Sequence, residues 1–584
     1  MKRRIGRILA WIGAITVGVV ILLIILVVNS GEDPVPQKTV LEINLEQRLV
    51  EYVPDDPVAK LMADDVVVLR DLVRALNNAA SDERVVGILA RGGSSRMGFA
   101  QIQELRDAFL AFRKSGKPAV IFAETFGEFG PGSGGYYLAT AFDKVYLQPS
   151  GDVGLTGMAM EHPFVKNMLD SLNIGVQMGH RHEYKNAMNL FTETEFTAPH
   201  REASEAILNS MVGQMVRAIA DAKNKTPEAV RDLVNRGPFM ASEALAEGLV
   251  DGLVYWDEVR DRVVKSWGEK SQFLSLSDYI KRTEEVMDDG TKVALIYGVG
   301  AVHRGKSDYD PTSSSSSMGA ETLTKAFRSA VKDADVKAIV FRVDSPGGSY
   351  VASDAIWREV AKAKAAGKPV IVSMGSVAGS GGYFVAMNAD KIVAQPGTIT
   401  GSIGVVGGKF VTEEFWKRLG ITWDSAKAGD NALIWTNNEF TPEQWAKFQA
   451  WLDHVYDDFT NKVAQGRGMS QADAHAVAKG RIWTGEDAKT RGLVDVLGGL
   501  ETAMGLAREA LKLDADEPLN VKVFPKEKTL MELVLEKGLI QTLSNGDVMM
   551  ELVGDLKPVI QFAKMVGVGQ QRQVLEMPEM NVRF

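Results

Sequence analysis

Short apolar runs alternate with longer amphipathic stretches along most of the chain, and the alternation occurs twice in the same order. The first series opens at Thr39-Val-Leu-Glu-Ile43 and continues through Arg84 to Leu89 and Ala119 to Ala123. The second opens at Lys292-Val-Ala-Leu-Ile-Tyr297 and continues through Val336 to Phe341 and Val370 to Val372. Such runs, separated by helix-length segments, predict α/β units whose strands are buried and mostly parallel. In each half the predicted order is strand, helix, strand ending in a glycine pair, helix, strand, Gly-Ser-Gly-Gly-Tyr, helix, strand. The pentapeptide stands at Gly132 to Tyr136 and at Gly379 to Tyr383, each copy followed by an apolar stretch, Asp-Lys and then Gln-Pro. Further on, Glu195-Phe-Thr197 matches Glu439-Phe-Thr441, and Gly248-Leu-Val-Asp251 matches Gly492-Leu-Val-Asp495. The chain is an internal duplication, with one α/β repeat at 39–285 and the other at 286–515; its 584 residues are too many for one core.

The flanks carry a different pattern. Basic Met1-Lys-Arg-Arg-Ile-Gly-Arg7 precedes Ile8 to Val28, 21 residues without a charge, enough to cross a hydrocarbon core of about 30 Å as a helix. A cleaved signal peptide would have an apolar core of roughly 7–15 residues and a small-x-small site, whereas this run ends Val27-Val-Asn-Ser-Gly31. The expectation is a single uncleaved N-terminal transmembrane helix at 8–28, between a cytoplasmic tail at 1–7 and a linker at 29–38. Basic residues before the span and Gly31-Glu-Asp33 after it place the N-terminus in the cytoplasm and the large remainder outside, which in a bacterium is the periplasmic side of the inner membrane. Lys281 to Asp289 reads as a charged junction and the serine-rich Thr312 to Ser317 as a mobile loop. Residues 516–584 read as an extension, most of it without a first-half counterpart, with amphipathic patches such as Leu530-Met-Glu-Leu-Val-Leu535 that can dock on the body or on a neighbouring subunit.

Charge and composition narrow the chemistry. Lysine and arginine number 66 against 75 aspartates and glutamates, a formal charge of −9, so no nucleic-acid partner is favoured. The absence of cysteine excludes disulfides, thiolate metal sites and a cysteine nucleophile. The serine of each pentapeptide falls between a strand and a helix, where a hydroxyl meets backbone N–H groups and the positive end of the helix. Beside the second copy, Ser345-Pro-Gly-Gly-Ser349 ends a strand with a glycine pair that can bring backbone amides close to a ligand. The two turns follow successive strands of one sheet, where ligands collect. A serine nucleophile needs a base. The seven histidines, His162, His180, His182, His200, His303, His454 and His475, lack a recognisable triad setting and read mostly as surface residues. Nor does Ala378-Gly-Ser-Gly-Gly382 fit the Gly-x-Ser-x-Gly elbow. A lysine is the better candidate, provided burial lowers its pKa from about 10.4 toward neutrality.

Ser345-Pro-Gly-Gly-Ser349, Gly379-Ser-Gly-Gly-Tyr383, Thr400-Gly-Ser-Ile-Gly404 and the duplication behind an N-terminal anchor together resemble the signal peptide peptidase A family, long two-repeat type, also called protease IV. The resemblance runs from the anchor to about residue 515. It implies tandem α/β repeats similar to the Clp-protease and crotonase superfamily, with a serine from the C-terminal repeat and a lysine from the N-terminal one. On the family's motifs Ser380 is the nucleophile. Lys185, within His182-Glu-Tyr-Lys-Asn-Ala-Met-Asn-Leu-Phe191, is the general base, and Ser402 orients it by a hydrogen bond. Backbone amides of Gly348, of Gly347 and of Gly381 in the nucleophile turn supply the oxyanion site. The implied activity is that of a membrane-anchored serine endopeptidase. It degrades apolar peptides, notably cleaved signal peptides left in the membrane, needs no metal or other cofactor, and works as a homotetramer.

The duplication offers an independent check. With the two pentapeptides superposed in sequence, Leu155 falls opposite Ser402, and Gly429 or Asp430 falls opposite Lys185. The first half thus lacks the orienting serine and the second lacks the lysine; the first also reads Arg91-Gly-Gly-Ser94 where the second has Ser-Pro-Gly-Gly-Ser. The expectation is one composite site across the repeat interface, with Ser133 a relic. Two other classes compete. A non-catalytic, membrane-anchored peptide-binding scaffold is disfavoured by the intact Ser380, Ser402 and Lys185. A crotonase-type acyl-thioester enzyme lacks an evident catalytic carboxylate and leaves the anchor unexplained.

Overall fold

The computed structural model describes residues 34–54, 66–93, 97–283, 290–310 and 315–524, with two short strands at Leu575–Glu576 and Val582–Arg583. The predicted transmembrane helix at 8–28, the first half of the linker (29–33) and most of the 516–584 extension lie outside the described residues. Among those described, no helix is long and apolar enough to cross a membrane.

Each half builds its own sheet, parallel throughout in the first and, in the second, parallel except where Ile482–Thr484 runs antiparallel to Ile399–Gly401. In the first, the spatial order is Gly252–Leu253, Lys144–Leu147, Ala119–Ala123, Val85–Arg91, Thr39–Asn44, Gln272–Ser275. In the second, Val370–Gly379, Ala338–Ser345, Thr291–Val299 and Leu519–Phe524 repeat the central pattern. The strands are apolar at successive positions because both faces are covered. Val293, Leu295, Val340 and Ile371 pack on helix Leu500–Leu511, while Ile296, Phe341 and Val372 pack on the opposite face with Phe327 and Ile356. The last strand, Leu519–Phe524, continues the second repeat's sheet past the expected limit at 515 and is the counterpart of Gln272–Ser275.

The repeated motifs prove to be joints of this scaffold. Thr197 and Thr441, each the third residue of a Glu-Phe-Thr copy, cap the 26-residue helices Ala198–Lys223 and Pro442–Arg467 by accepting from His200 N and Gln444 N. The tyrosine of each pentapeptide donates to the leucine carbonyl of its Gly-Leu-Val-Asp partner, Tyr136 to Leu249 at 2.8 Å and Tyr383 to Leu493 at 3.0 Å. The Asp-Lys aspartates accept the first amide of a central strand, Asp143 from Ala119 and Asp390 from Val370.

Two local expectations change. Of the serine-rich tract, 312–314 lie outside the described residues and Ser315 to Ser317 open the strand Ser315–Gly319, parallel to Ala301–His303 and antiparallel to Tyr309–Asp310. Polar composition does not prevent this, because Ser317 Oγ meets His303 Nε2 at 2.9 Å and Asp308 N at 2.9 Å while Met318 is buried. The histidines are also less exposed than expected, since only His454 is exposed and His200 is buried. His162 and His200 pack with Phe196, and His182 packs with Tyr456 and His475, so ring packing outweighs their polarity.

One strand of the second repeat shapes the site. Strand Val370–Gly379 forks: Ile371 to Ser373 pair with Lys391 to Val393, and Val377 to Gly379 pair with Ile399 to Gly401. The fork lays Gly401-Ser402 beside Gly379-Ser380. A second ladder joins the repeats, with Gly175–Arg181 antiparallel to Val405–Val411 from Gly175↔Val411 to Arg181↔Val405.

Candidate active site

Ser380 follows its strand in a turn with φ 52°, and its N–H donates to the Gly401 carbonyl at 2.8 Å. A non-glycine residue in this region is under backbone strain and persists only where its surroundings hold it. Ser402, at φ 51°, is held likewise, its N–H donating to the Arg481 carbonyl at 2.7 Å. Lys185 reaches both from the other repeat. The ladder ends at Arg181, Tyr184 N donates to the Lys479 carbonyl at 3.2 Å, and the chain then crosses Gly480. A Cβ on Gly480 would lie 2.5 Å from Lys185 N, and Gly480 has φ 80°, so only glycine suits this crossing.

All three side chains are fully buried. Lys185 Nζ is 2.8 Å from Ser380 Oγ, 3.0 Å from Ser402 Oγ and 3.0 Å from the Ser402 carbonyl. A neutral amine has two N–H bonds and one lone pair. Three partners at these distances can take two donated hydrogen bonds at Ser402 and return one from the Ser380 hydroxyl.

Three glycines surround Ser380. Gly347 and Gly348 have φ of 106° and 149°, and a Cβ on Gly381 would lie 3.0 Å from Gly348 N and 3.1 Å from Gly347 Cα. The backbones of both turns therefore meet next to the serine. The amides differ in use: Gly347 N–H already donates to Ser345 Oγ at 3.2 Å, while Gly381 opens helix Gly381–Ala386, whose first amides have no acceptor within the helix. Strand Gly347–Gly348 is flanked by Ala301–His303 on one side and by Leu575–Glu576, antiparallel, on the other.

The first repeat keeps the serine in a different setting. Ser133 Oγ is buried and accepts the N–H groups of Thr156 at 3.1 Å and Gly157 at 3.0 Å, so the hydroxyl ties down a turn. Leu155, opposite Ser402 in the duplication, is buried in the first core. Among the described residues, no histidine hydrogen-bonds Ser380 Oγ. Sequence reasoning missed Gly480; an isolated glycine after Ala478-Lys479 signals a turn but not what passes over it.

Residues 111–268 and 362–514 match peptidase family S49, spans that include Lys185, Ser380 and Ser402. The chain is 32% identical over 480 residues to Protease 4 of Salmonella typhi, covering 80% of this chain and 75% of that one. It is 32% identical over 464 residues to the chloroplastic serine protease SPPA of Arabidopsis thaliana, covering 78% and 66%. Protease 4 of Haemophilus influenzae is 28% identical over 464 residues, covering 76% and 73%. The glycine-bound serine of the second repeat and the match over both repeats lead to one conclusion: the chain belongs to peptidase family S49 and is a serine protease.

Proposed function

We propose that the chain is an endopeptidase in which Ser380 is the nucleophile, Lys185 the general base and Ser402 the residue that orients the lysine. Its substrates are apolar peptides, signal peptides left after preprotein cleavage above all. The observation that carries the reading is the 2.8 Å separation of Lys185 Nζ and Ser380 Oγ, made between residues of different repeats. Full burial disfavours an ammonium at Lys185, so the amine is available to take a proton. As Ser380 Oγ attacks the peptide carbonyl carbon, its proton moves to Nζ. The carbonyl oxygen gains the negative charge and accepts from the amides of Gly348 and Gly381, with Gly347 supporting the loop. Collapse breaks the C–N bond, and the leaving amine takes the proton from Nζ. Water then gives a proton to the neutral Lys185 Nζ as it attacks the ester carbon; the ester C–O bond breaks, Ser380 Oγ takes that proton from Nζ, and the carboxylic acid product leaves.

The Gly347–Gly348 edge suits an extended peptide, as the antiparallel pairing with Leu575–Glu576 illustrates. On this reading the repeats are of Clp-protease type, the 8–28 segment anchors the body on the periplasmic face beside its substrates, and four copies assemble. Ser380→Ala and Lys185→Ala are each expected to lower kcat for an apolar peptide ester by on the order of 10³-fold or more. Full activity in either variant would refute the dyad. The rate should fall as acid protonates Lys185, and a profile flat down to about pH 5 would argue against a lysine base.

A further inference from the structure

In the second repeat one residue stands opposite three. Strands Ala338–Ser345 and Val370–Gly379 pair through Val343↔Met374 and resume at Ser345↔Ala378, which leaves Asp344 facing Gly375, Ser376 and Val377. The bulge lies just ahead of Ser380 on the same strand. The ladder between the corresponding strands of the first repeat, Val85–Arg91 and Ala119–Ala123, ends at Arg91↔Phe122, ahead of the corresponding place.

Asp344 holds this bulge and more. Its Oδ1 accepts Val377 N–H at 2.8 Å, and the carboxylate also takes the Ser376 amide. A Cβ on Gly375 would lie 2.9 Å from Asp344 Cβ and Cγ, so the side chain packs directly on the bulge. From the other side Thr398 Oγ1 donates to the Gly375 carbonyl at 2.8 Å. The main-chain carbonyl of Asp344 accepts Gly300 N–H at 2.9 Å. Two residues beyond Gly300, Val302 pairs with Gly348 and accepts Ser349 N–H at 2.8 Å. One residue thus ties the strand that carries Ser380 to the strand that supports Gly348.

We propose that Asp344 is a positioning residue of the protease: by bracing the 375–377 bulge with its carboxylate and the 300–302 segment with its carbonyl, it sets Ser380 Oγ against the amides of Gly348 and Gly381. This rests on the reading of Ser380 as the nucleophile. The charged groups that act on Asp344 are Arg342, on its own strand, and Glu51 of the first repeat, which pairs with Arg342 at 2.9 Å. Burial first and then the Glu51 carboxylate push Asp344 up to about 7. An asparagine, whose Oδ1 also accepts from Val377 N–H, is a close substitute.

The test compares wild type, Asp344→Ala, Asp344→Asn and Ser380→Ala in steady-state hydrolysis of one apolar peptide ester. Asp344→Ala is expected to lower kcat about 100-fold with KM changed less than about 2-fold, since misplacement of a reacting atom acts on the transition state. Asp344→Asn should keep kcat within about 3-fold of wild type. Wild-type kcat in Asp344→Ala, a loss confined to KM, or an asparagine variant as impaired as the alanine one would overturn the proposal. Should Asp344→Ala fail to fold, Gly375→Ala presses a methyl group on the same carboxylate and should show the same kcat loss; unchanged kcat there would also overturn it. An active Ser380→Ala would remove the nucleophile assignment and this proposal with it. An inactive Ser380→Ala beside a fully active Asp344→Ala would remove the positioning role alone.

Discussion

A buried amine points only where its partners hold it, and at Lys185 the backbone does much of that holding. Gly480 passes so close that any Cβ would collide with Lys185 N, Cα and Cβ at 2.5 to 2.6 Å. Gly480→Ala is therefore expected to move the amine. Activity should fall about 100-fold, with a smaller stability loss of about 1 kcal/mol from the left-handed backbone. Steady-state kinetics beside a urea melt separates the two effects, and wild-type kcat would show that Lys185 is placed without this contact. His200 makes a prediction about pH. Burial first, and then His162, push it down to about 4, so the folded state keeps it neutral where the unfolded chain would protonate it. The unfolded state thus binds more protons between about pH 4 and 6.5, and stability from this group is full above that window and lost as pH falls through it. The loss is on the order of 3 kcal/mol and should shrink in His200→Gln, measured as urea midpoints at pH 7 and about pH 4.5; equal acid sensitivity in both proteins would contradict it.

Among the elements, the short strand Gly347–Gly348 is the one most exposed to competition for the site. Leu575–Glu576 occupies its outer edge, where an extended substrate would pair. A chain ended before Leu575 should show a KM several-fold lower for a short apolar peptide, with kcat unchanged; an unchanged KM would mean the edge is not where substrate binds. How much of this architecture was legible in sequence depends on what defines each element. The central strands were readable because covering both faces forces an apolar run, as at Ala119–Ala123, where every residue is buried. The Glu-Phe-Thr and Gly-Leu-Val-Asp repeats were visible as matches, but their roles as helix cap and tyrosine acceptor required the fold. Ser315–Gly319 was misread because its hydrogen-bonded neighbours come from Ala301–His303 and Tyr309–Asp310, and composition alone cannot show them. The Asp344 bulge left one signal, the isolated Gly375 inside its strand, but nothing in the sequence shows that Asp344 faces it.

At the scale of the whole molecule, the two repeats are held together at a buried ionic cluster as well as at the site. Arg342, 1% exposed, pairs with Glu51 and Glu104 across the repeat interface, and Glu104 also accepts Leu500 N–H. Removing one partner leaves uncompensated buried charge, so Arg342→Ala should cost about 3–5 kcal/mol. Urea unfolding should show it; a change below about 1 kcal/mol would mean the cluster contributes little to the interface. The site was legible as a set of residues but not as a geometry. Ser380 announced itself through glycines and a strand-to-helix turn. Lys185 stands out only through its family resemblance, because what brings it to Ser380 is the pairing of Gly175–Arg181 with Val405–Val411 across the duplication. The central claim is that one composite site, and not two equal ones, does the chemistry. A serine-reactive probe, with the adduct located by peptide mass spectrometry in wild type and in Lys185→Ala, tests it most directly. The account predicts a single adduct on Ser380 that falls at least about 100-fold in Lys185→Ala. An adduct on Ser133, or labelling of Ser380 undiminished without the lysine, would contradict it.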